Sequence, residues 1–132
     1  MSDSAVVARW IAFAQKDYDA ALNMAMLHRP APVEIICYHC QQSSEKILKA
    51  YIIALSGQAE KTHDLESILK QCMAHDNRFG SFAGICATLS AYAVASRYPL
   101  DDDWINEQDM LSALGHAEKI LCFTKARILE IG

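Results

Sequence analysis

Residues 33–55 read VEIICYHCQQSSEKILKAYIIAL, and the fold class turns on this stretch. Val33, Ile36, Cys37, Cys40, Ile47, Leu48, Tyr51 and Leu55 recur at helical steps, which predicts an α-helix with one face against a core. Ile35, Ile52 and Ile53 add a second apolar side. A helix apolar on two sides is central, contacting several neighbours or a second subunit. Ser56-Gly57 supplies its C-terminal stop.

The flanking segments follow the same period. Upstream, Val6, Trp10, Phe13, Ala20, Met24 and Leu27 predict an apolar stripe with Asp17 in its vacancy. His28-Arg29-Pro30-Ala31-Pro32 ends that helix, because two prolines cannot be continued through. Downstream, Thr62 is the expected N-cap of a short helix running to about Ala74, with Asp64 and Glu66 at the positive end of its dipole. His75-Asp76-Asn77 reads as a turn. The 18 uncharged residues between Arg78 and Arg97 read as a buried fourth helix, too short and too rich in Gly, Ser and Thr for a membrane span. Asn106 is the expected N-cap of a last helix whose seam is Met110, Leu114, Ala117, Leu121, Thr124, Ile128 and Ile131. Strand alternation is absent throughout. The expectation is a single all-α domain over residues 1–132, an up-and-down bundle of four long helices plus a short one.

Composition agrees. The 132 residues are 52% hydrophobic, enough for a core and too many for a disordered chain. The formal net charge is −4. Arg97 to Met110 holds one base and five acids (Asp101, Asp102, Asp103, Glu107, Asp109), so this segment carries the whole excess. An acidic balance argues against DNA as a partner. The start MSDSAVVARW shows no secretory signal, and the five cysteines, Cys37, Cys40, Cys72, Cys86 and Cys122, sit mostly among apolar neighbours. Together these predict a cytoplasmic protein without membrane contact.

Several motifs invite chemistry and fall short of it. Cys37-Tyr38-His39-Cys40 lacks the second ligand pair of a zinc site and lies within a helix, where a redox CxxC does not belong. Ser43-Ser44-Glu45-Lys46 has the S-x-x-K spacing of some hydrolases without the companion motifs. Asp101–Asp103 do not match a calcium loop. Neither metal nor cofactor is expected. A polar ridge on the second helix is better placed: His39, Gln42, Lys46 and Lys49 lie three or four apart. Taken alone it reads as a solvated ridge, with Glu45–Lys49 an ordinary pair worth roughly 0.2–0.5 kcal/mol. Asp17 needs a partner if buried, and Lys46 or His39 is within its reach; Asp17 and Glu45 are the expected buried carboxylates. Arg97-Tyr98-Pro99 sets an arginine fork beside a ring, suited to phosphate plus base or, equally, to a helix C-terminus.

Cys40-Gln41-Gln42-Ser43-Ser44-Glu45-Lys46-Ile47-Leu48-Lys49-Ala50 resembles the A-Q-Q-A-x-E-K-x-L-K-A helix of HEPN domains (higher eukaryotes and prokaryotes nucleotide-binding). Lys61-Thr62-His63-Asp64-Leu65 resembles the family's T-H-D-L, Arg97-Tyr98-Pro99 its R-Y-P, and Trp10 with Asp17 its first-helix pattern. The resemblance implies a helical bundle that commonly dimerises. In prokaryotes such chains are often encoded beside a minimal nucleotidyltransferase as a toxin–antitoxin-like pair. Some members bind nucleotides, and others are metal-independent ribonucleases using an arginine followed, after four to six residues, by a histidine.

That ribonuclease motif is missing. None of Arg9, Arg29, Arg78, Arg97 and Arg127 has a histidine at the required distance. Without it the general acid–base role has no holder, and the acids after Arg97 repel an RNA backbone. The leading expectation is therefore a non-enzymatic, homodimeric HEPN-type domain that binds a small nucleotide or a partner nucleotidyltransferase. Its expected ligand-binding residues are Arg97, Tyr98, Lys46, Lys49, His63 and His39, with Tyr98 stacking on a base. Two rival readings are a degenerate HEPN ribonuclease toxin acting on RNA, with Arg97 and His116 or His63 converging in space, and a purely structural dimerisation module.

Overall fold

A computed structural model describes the backbone of residues 2–97 and 105–131 and the side chains of 4–94 and 105–131. The elements are α1 (Ser2–Leu27), α2 (Val33–Ser56), α3 (Leu65–His75), a 3₁₀ helix (Asn77–Phe82), α4 (Ala83–Arg97) and α5 (Glu107–Ile131). The result is the all-α bundle expected, with α2 central: it packs on α1, α5, α4 and α3. Both apolar sides of α2 are used, for Ile36, Cys37, Cys40, Ile47 and Leu48 are fully buried and Ile52 and Ile53 nearly so.

Local chemistry sets the ends. Gly57 takes φ 87° and its N–H donates to the Ile53 carbonyl, the left-handed stop that glycine adopts without a Cβ clash. Arg29 closes α1 by donating to the carbonyls of Ala25 (2.6 Å) and His28 (2.8 Å). At the start of α5, the Asn106 side chain accepts from the Asp109 N–H and the Asp109 carboxylate accepts from the Asn106 N–H, both at 2.9 Å. That is the expected Asn106 cap, made reciprocal by an acid three residues on.

Three expectations are corrected. α3 starts at Leu65 after Asp64, while the Thr62 hydroxyl accepts from the Asp64 N–H (3.1 Å), so Thr62 shapes the entry turn instead of capping the helix. The uncharged segment does not begin as α-helix. Asp76 accepts from the Arg78 N–H and starts a 3₁₀ turn that seats Phe79 and Phe82 in the core before α4 begins. Finally, the buried face of α1 is Val7, Ala14, Tyr18, Ala21 and Ala25, whereas Val6, Phe13 and Leu27 are exposed. Alanines win this face because they let α1 lie close on α2, close enough for the Ser43 hydroxyl to reach the Ala14 carbonyl at 2.8 Å. The larger apolar residues are turned to the flanks.

The core continues through a ring cluster. Phe79 lies 4.7 Å from Tyr51 and 5.1 Å from Phe123, and Phe82 lies 5.2 Å from Phe123, centroid to centroid. The α5 seam holds Met110, Leu114, Ala117, Leu121 and Thr124 buried, Ile128 half-buried and Ile131 exposed. The Tyr92 hydroxyl donates to Asp109 (3.4 Å), tying α4 to α5, and burial with the nearby carboxylate pushes this phenol up to about 12.

Candidate functional site

Two carboxylates organise the polar side of α2. Asp17 projects from α1 and meets His39 Nδ1 at 3.0 Å and Lys46 Nζ at 2.5 Å. Sequence offers Lys46 or His39 as the partner of Asp17, and the helices bring both to it. Glu45, 4% exposed at its side chain, meets Lys49 Nζ at 3.2 Å and His63 Nδ1 at 2.9 Å. Gln42 donates to Gln41 (2.8 Å), and Gln41 donates to the other Glu45 oxygen (3.5 Å), which extends the network along the helix. His63 comes from the turn before α3, so this network pins that turn to α2. In both histidines a carboxylate faces Nδ1, which places the ring proton there and leaves Nε2 for other work.

The ridge is not the solvated one that spacing suggested. Lys49 is buried and lies 5.7 Å from the centroid of the Trp10 ring, while His39, Gln42 and Lys46 are half-buried. α1 covers this side of α2, and periodicity within one helix cannot reveal a covering neighbour. The Glu45–Lys49 pair is therefore an interior ion pair, subject to desolvation as well as attraction. The lysine charges on the ridge are each matched by a carboxylate, so the ridge offers oriented donors with little net charge.

Beside it, Val6, Arg9, Trp10, Phe13 and Lys46 line a cleft of about 310 Å³ between α1 and α2. Arg9, Trp10 and Phe13 were not among the expected site residues, because the period of α1 assigned Trp10 and Phe13 to the core. The signal that could have found them is the run of Arg9, Trp10, Phe13 and Lys16, which shares one helix face.

Arg97 is the last residue of α4 and its side chain lies outside the described residues, as do Tyr98 and Asp101–Asp103 entirely. His116 sits half-buried on α5, where burial and then Lys119 lower its pKa. No hydrogen bond joins an arginine to a histidine side chain among the described residues. The Ser43 hydroxyl is spent on Ala14 and Lys46 on Asp17, which removes the hydrolase spacing as a catalytic pair. Cys37, Cys40, Cys72 and Cys86 are buried free thiols. Burial is the leading cause that pushes Cys37, Cys72 and Cys86 to about 12 and raises Cys40 also, so none is a poised nucleophile. Among the described residues no cluster of three or more His, Cys, Asp or Glu suits a metal, and no helix is long and apolar enough to cross a membrane.

A five-helix bundle with a carboxylate-braced polar ridge on its central helix defines a class of all-α domains rather than a reaction. The model of the HEPN domain matches residues 7–128, and the chain belongs to the HEPN domain family. ST0689, described as an archaeal HEPN homologue, shares the fold at TM-score 0.73 and 23% identity, over 92% of this chain and 97% of that one. No curated protein matches the chain.

Proposed function

We propose that this chain is a non-catalytic HEPN-type domain that dimerises and binds a nucleotide or a partner minimal nucleotidyltransferase, in a toxin–antitoxin-like arrangement. The observation that carries the reading is the ridge itself. His39, Lys46, Lys49 and His63 are brought to one side of α2 and held by Asp17 and Glu45. Held donors with compensated charge suit a small ligand with mixed donors and acceptors better than a polyanion such as RNA. Arg97 and Tyr98 belong to the proposed ligand-binding residues on the strength of the family resemblance. Large apolar side chains are exposed at Met26, Leu27, Ile35, Val94, Leu111 and Leu129, and any of these positions is available to a two-fold contact.

The reading makes no use of ribonuclease chemistry, since no histidine follows an arginine at the family's spacing. Sedimentation at micromolar concentration tests the dimer, which runs at twice the 14.7 kDa chain mass; a species at the chain mass contradicts it. Robust RNA cleavage that depends on Arg97 overturns the non-catalytic reading.

A further inference from the structure

We infer that Arg9, Trp10, Phe13 and Lys46 form a site for an aromatic anion of mononucleotide size, set in the cleft between α1 and α2. The inference rests on the nucleotide reading for its ligand class; it shares Lys46 and Lys49 with the carboxylate-held ridge, while Arg9, Trp10, Phe13 and Lys16 lie outside that ridge. Phe13 is 51% exposed and Trp10 half-buried, an unusual placement for two rings one helical turn apart. Cations surround them. Lys16 Nζ stands 5.3 Å from the Phe13 centroid, Lys49 Nζ 5.7 Å from that of Trp10, and Arg9 and Lys46 line the cleft wall. Lys46 gives one of its three N–H donors to Asp17 and keeps two. Arg9 and Lys16 meet no carboxylate among the described residues, so this face is basic on a chain of net charge −4.

Ring faces take a base by stacking, and the guanidinium and ammonium groups take a phosphate. The volume sets the size. About 310 Å³ lies at the low end for small-ligand clefts, in keeping with a ligand of about one nucleotide. Charge selects against a second copy as the occupant. A two-fold contact centred here sets Arg9 and Lys16 against their own equivalents, a like-charge pairing that opposes association.

Calorimetric titration of the full chain with AMP, adenosine and inorganic phosphate tests the inference. AMP binds, and adenosine and phosphate bind at least about tenfold more weakly, since each keeps only half of the recognition. Arg9→Ala and Phe13→Ala, both at exposed positions and checked for native circular dichroism, each weaken AMP about tenfold, in line with loss of one charged contact or one stack. AMP affinity unchanged in both variants, with loss in His63→Ala, overturns this site and leaves the ridge as the nucleotide site. Conversion of a dimer to a monomer by Phe13→Asp, with AMP affinity unchanged, overturns it in favour of a contact between copies. Absence of binding by AMP at millimolar concentration overturns it as well, and adding the same result for other nucleotides removes the nucleotide reading with it.

Discussion

Replacing Glu45 by methionine isolates the most consequential contact in the structure. The Glu45 side chain is 4% exposed and that of Lys49 6%, and their charged atoms are 3.2 Å apart. Methionine nearly matches glutamate in length and helix propensity, so the substitution removes the charge with little change in packing or helix formation. It leaves Lys49 as an interior cation, with the Trp10 ring the remaining nearby counter-group. Removing one member of a buried pair costs about 3–5 kcal/mol. Against the 5–15 kcal/mol that typically holds a domain together, such a loss is a large share. For a chain of this length it corresponds to a fall in Tm of roughly 10–18 °C. The double variant Glu45→Met with Lys49→Met leaves no orphaned ion and recovers most of that loss, falling short of the parent by about 1–2 kcal/mol for the His63 and Gln41 bonds that Glu45 also accepts. Urea unfolding of the parent, the two single variants and the double variant closes the cycle. A single-variant loss below about 1 kcal/mol, in the range of exposed pairs, refutes the placement of this pair in the interior.

Asp17→Asn releases His39 and Lys46, both already part-exposed, and costs about 1–2 kcal/mol in the same unfolding assay. Asn106→Ala removes the reciprocal cap of α5 and costs about 1 kcal/mol, while Thr62→Ala, which caps no helix, costs less. A thiol reagent at pH 8 labels Cys122 quickly and the four buried cysteines only on unfolding; fast labelling of more than one thiol per chain contradicts the packing. Because Cys37, Cys72 and Cys86 move from an ordinary 9.0 to about 12 on folding, the unfolded chain releases protons first. Their contribution to stability is complete below pH 9 and is lost as pH rises towards 12, which thermal scans across that range read directly.

Much of the architecture was legible because the helical period speaks clearly where one face is apolar. α2 is apolar on two sides and α5 carries an unbroken seam, and Asn106 and Gly57 mark ends with chemistry that has few alternatives. The reading slipped where tertiary contact overrode period. On α1 the close approach to α2 selected Ala14, Ala21 and Ala25, and that turned Val6 and Phe13 outward. In residues 77–82 the Asp76 side chain nucleated a 3₁₀ turn that hydropathy does not encode. In the site, a partner for Asp17 on the next helix, Lys46 or His39, is legible because a lone carboxylate in an apolar stripe demands one; that both reach it is seen only in the structure. The burial of Lys49 and the Arg9–Trp10–Phe13 face are not legible, because both depend on how α1 lies across α2.

The proposal that this HEPN domain binds a nucleotide without cleaving RNA is tested most directly by isothermal titration of the full chain with a panel of nucleotides. The account predicts saturable binding at sub-millimolar affinity for at least one of them. No heat of binding from any nucleotide at millimolar concentration contradicts it and leaves only recognition of a protein partner.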